Sequence, residues 1–317
     1  MQFLLIVVTV AFAIVAANAS AEEYPSKPIR LVIPFAPSGT DILARVIAAA
    51  VSESLGQQGV VDNRPGAGGA IGAEITVRAA PDGYTLNMTT SSYAANSAYR
   101  APPFDPVRDI QPVILVGTMG LLMAVHPSVP VSGVADLVAH LRKNPGKLGY
   151  GSVGNGSINH LALELFKLET ATDMVHVPYK GAGPGLVGAV SGEIQVGAFG
   201  VVASLPHVKA GRLRAIGITT PKRAAALPDV LSIGETVPGY EVVHWVGIWG
   251  PRNMPRDIVL RWNREVAKVL GREDIRARFT ADGLDPAGGS PVQFEQVVRR
   301  DIEKWRRVVR EAKIAAN

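Results

Sequence analysis

The stretch Ile29-Arg-Leu-Val-Ile-Pro-Phe-Ala-Pro-Ser-Gly-Thr-Asp-Ile-Leu-Ala-Arg45 decides how this chain is read. Ile29, Leu31 and Ile33 interleave with Val32 and Phe35, so the run is short, β-branched and apolar on both faces. Such a segment suits a strand buried in a parallel sheet. Pro34 and Pro37 end it, because neither has an N–H to give to a ladder. A helical pattern starts at once with Ile42, Leu43, Val46, Ile47, Ala50 and Val51, and Gly56 stands where helices commonly close in the left-handed conformation. A strand, a small-residue loop and a helix start gather unpartnered amides and hydroxyls around one point, which is a generic anion site. The same residues also describe an ordinary strand-to-helix turn capped by Ser38 or Thr40.

The alternation continues outward from this stretch. Residues 59–63 read as a strand, Arg64-Pro-Gly-Ala-Gly-Gly69 as a loop and 70–80 as a helix. Pro81-Asp-Gly83 is a turn before a strand over 84–89. Units of this kind predict a parallel sheet covered by helices. An apolar stretch over 112–125 crosses a boundary, after which helices are expected over 134–142 and 157–168 and strands over 148–150, 174–178, 194–199 and 213–219. A second apolar stretch, 241–249, mirrors the first. The expected fold is therefore α/β and two-lobed, with two mainly parallel sheets flanked by helices and joined by two crossing strands. Residues 24–122 and 245–317 form the first lobe and 123–244 the second, with hinges at the crossings. The tail is helical, over 255–270 and again from Ser290-Pro291, where Phe294, Val297, Val298, Ile302, Trp305, Val308 and Val309 make one apolar stripe. The basic residues on its other face read as a solvated surface before a partner-binding one.

Composition narrows the function. Across 317 residues, 47% hydrophobic and 19% charged content describes a packed core, and the formal net charge of +5 favours anionic small molecules. No Lys/Arg-rich run with interleaved aromatics points to nucleic acid. The absence of cysteine excludes disulfides, thiolate metal sites, a cysteine nucleophile and a lipid-modified cysteine. Residues 3–17 are an apolar run followed by Ala17-Asn18-Ala19 and Ala19-Ser20-Ala21, so residues 1–21 are expected to be a cleaved signal peptide, although its start lacks Lys and Arg. The six histidines, 126, 140, 160, 176, 207 and 244, never pair at metal-ligand spacing, and neither H-E-x-x-H nor G-x-S-x-G occurs. No metal, cofactor or catalytic residue is expected. Gly183-Pro-Gly-Leu-Val-Gly188 matches G-x-G-x-x-G, but it contains a proline and lacks the acid about 20 residues on that a dinucleotide site needs.

What recurs is a set of strand ends rich in Gly, Ser, Thr and Asn, at residues 36–41, 89–93, 151–157, 178–183 and 198–204. Open α/β sheets bind ligands beyond the carboxyl ends of their strands. Several such loops without an acid/base pair favour binding over chemistry, and Gly151-Ser-Val-Gly-Asn-Gly-Ser157 supplies a second helix start ready for an anion.

Tyr24-Pro-Ser-Lys-Pro-Ile-Arg-Leu-Val-Ile-Pro-Phe-Ala-Pro, Asn63-Arg-Pro-Gly-Ala-Gly-Gly69, Ala80-Pro-Asp-Gly-Tyr-Thr85, Lys147-Leu-Gly-Tyr-Gly-Ser152, Val177-Pro-Tyr-Lys-Gly181 and Pro206-His-Val-Lys-Ala-Gly211 stand in order along the chain. With these motifs it resembles the periplasmic solute-binding receptors of tripartite tricarboxylate transporters, often called the Bug family. The resemblance runs from Tyr24 to about Lys313. It implies a type II periplasmic-binding fold that closes on a small carboxylate and delivers it to the membrane permease subunits of a tripartite transporter, as a periplasmic monomer. Carried over by position, the ligand site comprises Ser38, Gly39, Thr40, Asp41, Ser91 and Ser92 from one lobe. Ser152, Gly154, Asn155, Ser157, His160, Tyr179, Lys180, Gly181 and Phe199 come from the other. Lys180 either contributes charge or is solvated at a surface turn. The loop Ser38-Gly39-Thr40-Asp41 is one residue shorter than the family's usual Gly-Gly-x-x-Asp, which implies a different grip. The aspartate many members carry near Ala198-Phe199-Gly200 is missing, which implies a less polar acid. The rival readings are a receptor feeding a membrane sensor, and a secreted enzyme on a small acid with His160 as base and Ser157 or Asp41 assisting.

Overall fold

The computed structural model describes residues 24–35, 39–224 and 227–315. The signal peptide expected over residues 1–21, and Ser38 of the expected site, lie outside the described residues. Along the chain, β1 (Ile29–Ile33) leads into α1 (Gly39–Leu55), β2 (Gly59–Asn63), α2 (Ala70–Val77), β3 (Thr85–Thr90) and α3 (Ser92–Tyr99). Next, β4 (Ile110–Met119) passes through Gly120 into β5 (Leu121–Val125). Helix α4 (Val134–Lys143), β6 (Gly149–Ser152), α5 (Ile158–Thr170), β7 (Val175–Pro178), α6 (Ala182–Ser191), β8 (Val196–Gly200), α7 (Val201–Lys209) and β9 (Arg214–Ile218) follow. The chain then returns through β10 (His244–Pro251), α8 (Arg256–Gly271), α9 (Glu273–Ala281), β11 (Asp285–Gly288) and α10 (Pro291–Glu311).

These strands form two sheets, one of six in the order β11-β4-β10-β3-β1-β2 and one of five in the order β7-β6-β8-β5-β9. The chain is thus α/β with two mixed sheets flanked by helices. Both expected parallel ladders are present, β2-β1-β3 in the first sheet and β7-β6-β8 in the second. Strands β4, β5, β9, β10 and β11 pair antiparallel with their neighbours. The first crossing is one strand interrupted only at Gly120. The return is different: it runs through residues 219–243, tied by the Val242 amide to the Thr219 carbonyl at 2.8 Å, before β10 enters the centre of the first sheet.

Register fixes where the strand ends lie. Thr90, the last residue of β3, pairs with Val246 near the start of β10, and His244 pairs with Met119 at the end of β4. Gly200, the last of β8, pairs with Leu121 at the start of β5. The carboxyl ends of both parallel ladders therefore face the end at which the chain crosses between sheets.

The cores follow from amphipathic faces. Leu43, Ala44, Ile47, Val51 and Leu55 of α1 pack with β1, β3, β4 and Trp262 of α8 on one face of the first sheet. Ile42, expected on that stripe, is 49% exposed instead, because the buried face runs through Leu43, Ala44, Ile47, Ala48 and Val51. On the opposite face Tyr93, Trp249, Phe294, Ile302 and Trp305 belong to one apolar cluster with Leu161, Leu165 and Phe166 of α5 and Val196 of the second sheet. The two sheets thus share a core through α3, α5 and α10. Helix α10 starts as read, with Ser290 and Gln293 forming a reciprocal capping box and Pro291 in its first turn.

Candidate ligand site at the facing strand ends

Helix α5 is the best-defined part of the site. Ser157 caps it: its Oγ accepts from the His160 amide at 3.3 Å and donates to the Gly154 carbonyl at 2.7 Å. Gly156, just before the cap, has φ +71, and a side chain there would collide with the ring of Tyr99 from the first sheet's side. Its amide gives a hydrogen bond to His160 Nδ1 at 3.2 Å. Ser152, fully buried at the end of β6, shares a 2.7 Å hydrogen bond between its Oγ and His176 Nε2. The loop over residues 152–157 is therefore held at both ends by imidazoles, and those rings stack on each other at 3.9 Å and 8°. Tyr150 stacks beyond His176 at 4.9 Å, and its hydroxyl donates to Glu164 Oε1, which Lys167 Nζ meets at 3.0 Å.

Both imidazoles are uncharged near neutrality. Burial pulls His160 down to about 4, with Lys167 adding to the effect, and burial followed by the neighbouring His160 pulls His176 down to about 3. Tyr150 is pushed upward by burial and by the adjacent Glu164 carboxylate.

On the facing side, Ser91 is fully buried; its amide donates to the Trp245 carbonyl at 2.9 Å and its Oγ lies 2.6 Å from His244 Nδ1. Burial pulls His244 down to about 4. Ser92, half-buried at the start of α3, places its Oγ 3.5 Å from the Ile158 amide in the first turn of α5. That contact joins the two sets of strand ends. Gly39, Thr40 and Asp41 form the first turn of α1. The Asp41 carboxylate is buried and takes a two-pronged hydrogen bond from Arg45 at 2.9 and 3.1 Å, which holds it below the usual carboxylate range.

The remaining expected residues divide. Gly154 is half-buried and Asn155 exposed on the loop; Lys180 is exposed, beside Gly181, which precedes α6 at φ +113. Tyr179 ties its amide to the Ser152 carbonyl at 3.0 Å and lays its ring against Gly188 of α6. Phe199 is 1% exposed, with its ring between Gly185 and Gly197 in a cluster with Leu186, Ala189 and Ile194, so it packs the layer under the loops. The glycines at 185 and 188 admit the Phe199 and Tyr179 rings, so packing of α6 accounts for two of the three glycines in the G-x-G-x-x-G match. Among the described residues no group of three or more His, Cys, Asp or Glu is placed to hold a metal ion, and no helix is long and apolar enough to cross a membrane.

Comparison with known proteins decides the family. The profile described as "Tripartite tricarboxylate transporter family receptor" matches residues 43–314. This chain belongs to that receptor family. Protein BugT of Bordetella pertussis is 34% identical over 307 residues, covering 95% of this chain and 94% of its own length. A Rhodopseudomonas palustris protein solved with adipate is 38% identical, with a TM-score of 0.83 over 92% of this chain and 99% of its own. MatC of the same organism, solved with bound malate, is 30% identical, with a TM-score of 0.80 over 90% of this chain and 100% of its own. The tripartite tricarboxylate receptor reading is thus established for the chain, as a solute receptor and not an enzyme. No motif in the sequence singles out His176, His244, Tyr99 or Glu164, which the fold brings to the site. The parallel register that sets Tyr150 beside His176, two residues before each strand's last, is the signal that finds His176.

Proposed function

We propose that this receptor is periplasmic, binds a small carboxylate between the facing strand ends, and delivers it to the membrane subunits of a tripartite transporter. The lobes are residues 24–122 with 245–317, and 123–244. The observation that carries the reading is the Ser92–Ile158 contact. At 3.5 Å it is long for a hydrogen bond, and it stands where a ligand oxygen would take the first-turn amide of α5. Backbone donors at the starts of α1 and α5 bind the anion, Ser92 and Ser157 orient it, and the buried Ser91 and Ser152 brace the strand ends through His244 and His176. The nearby cation Arg45 is already engaged by Asp41, so amides and hydroxyls supply the recognition. The chemistry of the relatives solved with adipate and malate supports a dicarboxylate.

A thermal-shift screen of mono-, di- and tricarboxylates, aromatic acids included, tests this, because a ligand that binds only the folded chain raises the melting temperature. A rise of several degrees with at least one diacid is expected. No rise with any carboxylate at millimolar concentration would refute the reading.

A further inference from the structure

We propose that His160 and His176 are positioning residues that act as a paired latch on the ligand loop over residues 152–157, holding it in its binding shape only while both rings are uncharged. The proposal rests on the carboxylate-site reading above.

The geometry assigns each ring a task. His160 Nδ1 accepts from the Gly156 amide at 3.2 Å, so the neutral ring carries its hydrogen on Nε2. A proton on Nδ1 would face the Gly156 N–H, donor against donor, and break that bond. His176 Nε2 holds Ser152 Oγ at 2.7 Å at the other end of the loop. At 3.9 Å separation the two rings cannot both be charged without strong repulsion. Burial outweighs the one carboxylate, Glu164, that would favour a charge on His176. Lys167 lies behind the stack with its charge shared between Glu164 at 3.0 Å and Asp173 at 3.3 Å. Tyr150 covers His176, and the Tyr99 ring meets His160 edge-on at 6.2 Å. The Glu164 carboxylate is taken by Lys167 and the Tyr150 hydroxyl. Gly154, at φ +132, is held from within the loop by Ser152 and Ser157, whereas the Gly156 amide, at φ +71, is held by His160.

Nuclear magnetic resonance on the full chain tests this directly. In wild type at pH 7, the His160 ring nitrogens should report the Nε2–H tautomer and the Gly156 amide should be protected from exchange. Its shift should change together with the His160 ring as pH is lowered toward 4. His160→Leu should lower Gly156 protection at least tenfold and weaken adipate or malate binding at least tenfold. His160→Asn, whose Oδ1 can accept from the same amide, should recover part of both. An unprotected Gly156 amide in wild type, equal protection in His160→Leu, no recovery in His160→Asn, or unchanged diacid affinity in His160→Leu would each overturn the latch. If neither diacid binds wild type, the carboxylate reading rests on the wider screen while the Gly156 amide still decides the latch.

Discussion

A single hydroxyl carries two duties at Ser157. Its Oγ accepts from the His160 amide and donates to the Gly154 carbonyl, so it both caps α5 and fixes the loop. Ser157→Ala should cost about 1 kcal/mol of stability, the usual value of a lost cap, measured by urea denaturation. It should also weaken binding of any carboxylate found in the screen. Stability lost with affinity untouched would confine Ser157 to capping. The residue is legible in sequence, since a serine after Gly-Asn-Gly and before an apolar helical pattern is a cap signature. The tie between Ser152 and His176 at the other end of the loop is not, because it passes through the parallel pairing of β6 with β7, which a whole helix separates along the chain. Ser91 shows the same limit: its partner His244 arrives on the returning β10 from the far end of the chain.

Among the elements, β10 does the most to join the molecule, pairing with β3 on one side and β4 on the other. Gly247 at its centre leaves space for Phe294 of α10, whose ring carbon Cζ lies 2.1 Å from where a β-carbon would stand. Phe294 is fully buried and cannot swing into solvent. Gly247→Ala should therefore destabilise the fold by about 1–3 kcal/mol, the range for overpacking, seen as a lowered denaturation midpoint. A neutral result would mean that α10 yields easily. The apolar crossing at β4–β5 was plain in the sequence, as was the α10 stripe. Helices α3 and α7 were not. Thr90-Ser91-Ser92-Tyr93 reads as a polar loop, yet Thr90 ends β3 and a helix opens at Ser92, where the burial of Tyr93 and Ala94 rewards it. Pro206 argues against a helix over residues that α7 nonetheless includes.

At the scale of the whole molecule, the apolar cluster common to both sheets, with the Arg307–Glu169 ion pair at 3.3 Å beside it, makes the halves interdependent. Calorimetry should show one cooperative unfolding transition, and two resolved transitions would contradict that coupling. Acid sensitivity follows from the buried histidines. His160, His176 and His244 take protons at about 4, 3 and 4 in the folded chain, against about 6.5 when unfolded. The unfolded state therefore binds more protons below about pH 6.5, and stability falls as pH drops through that value until the folded groups titrate near pH 3–4. Melting temperatures recorded from pH 7 to pH 4 should decline over this window, and His244→Gln should flatten the decline. A flat profile in wild type would show these rings to be charged or exposed.

The central claim is that amides and hydroxyls from opposed strand ends, and not a cationic side chain, seize the carboxylate. Calorimetric titration of adipate and malate into wild type, Ser157→Ala and Lys180→Ala compares the two directly. A diacid that binds wild type, binds Ser157→Ala at least about fivefold more weakly, equivalent to roughly 1 kcal/mol, and binds Lys180→Ala with wild-type affinity is the expected result. Loss of binding in Lys180→Ala with Ser157→Ala unaffected would contradict it.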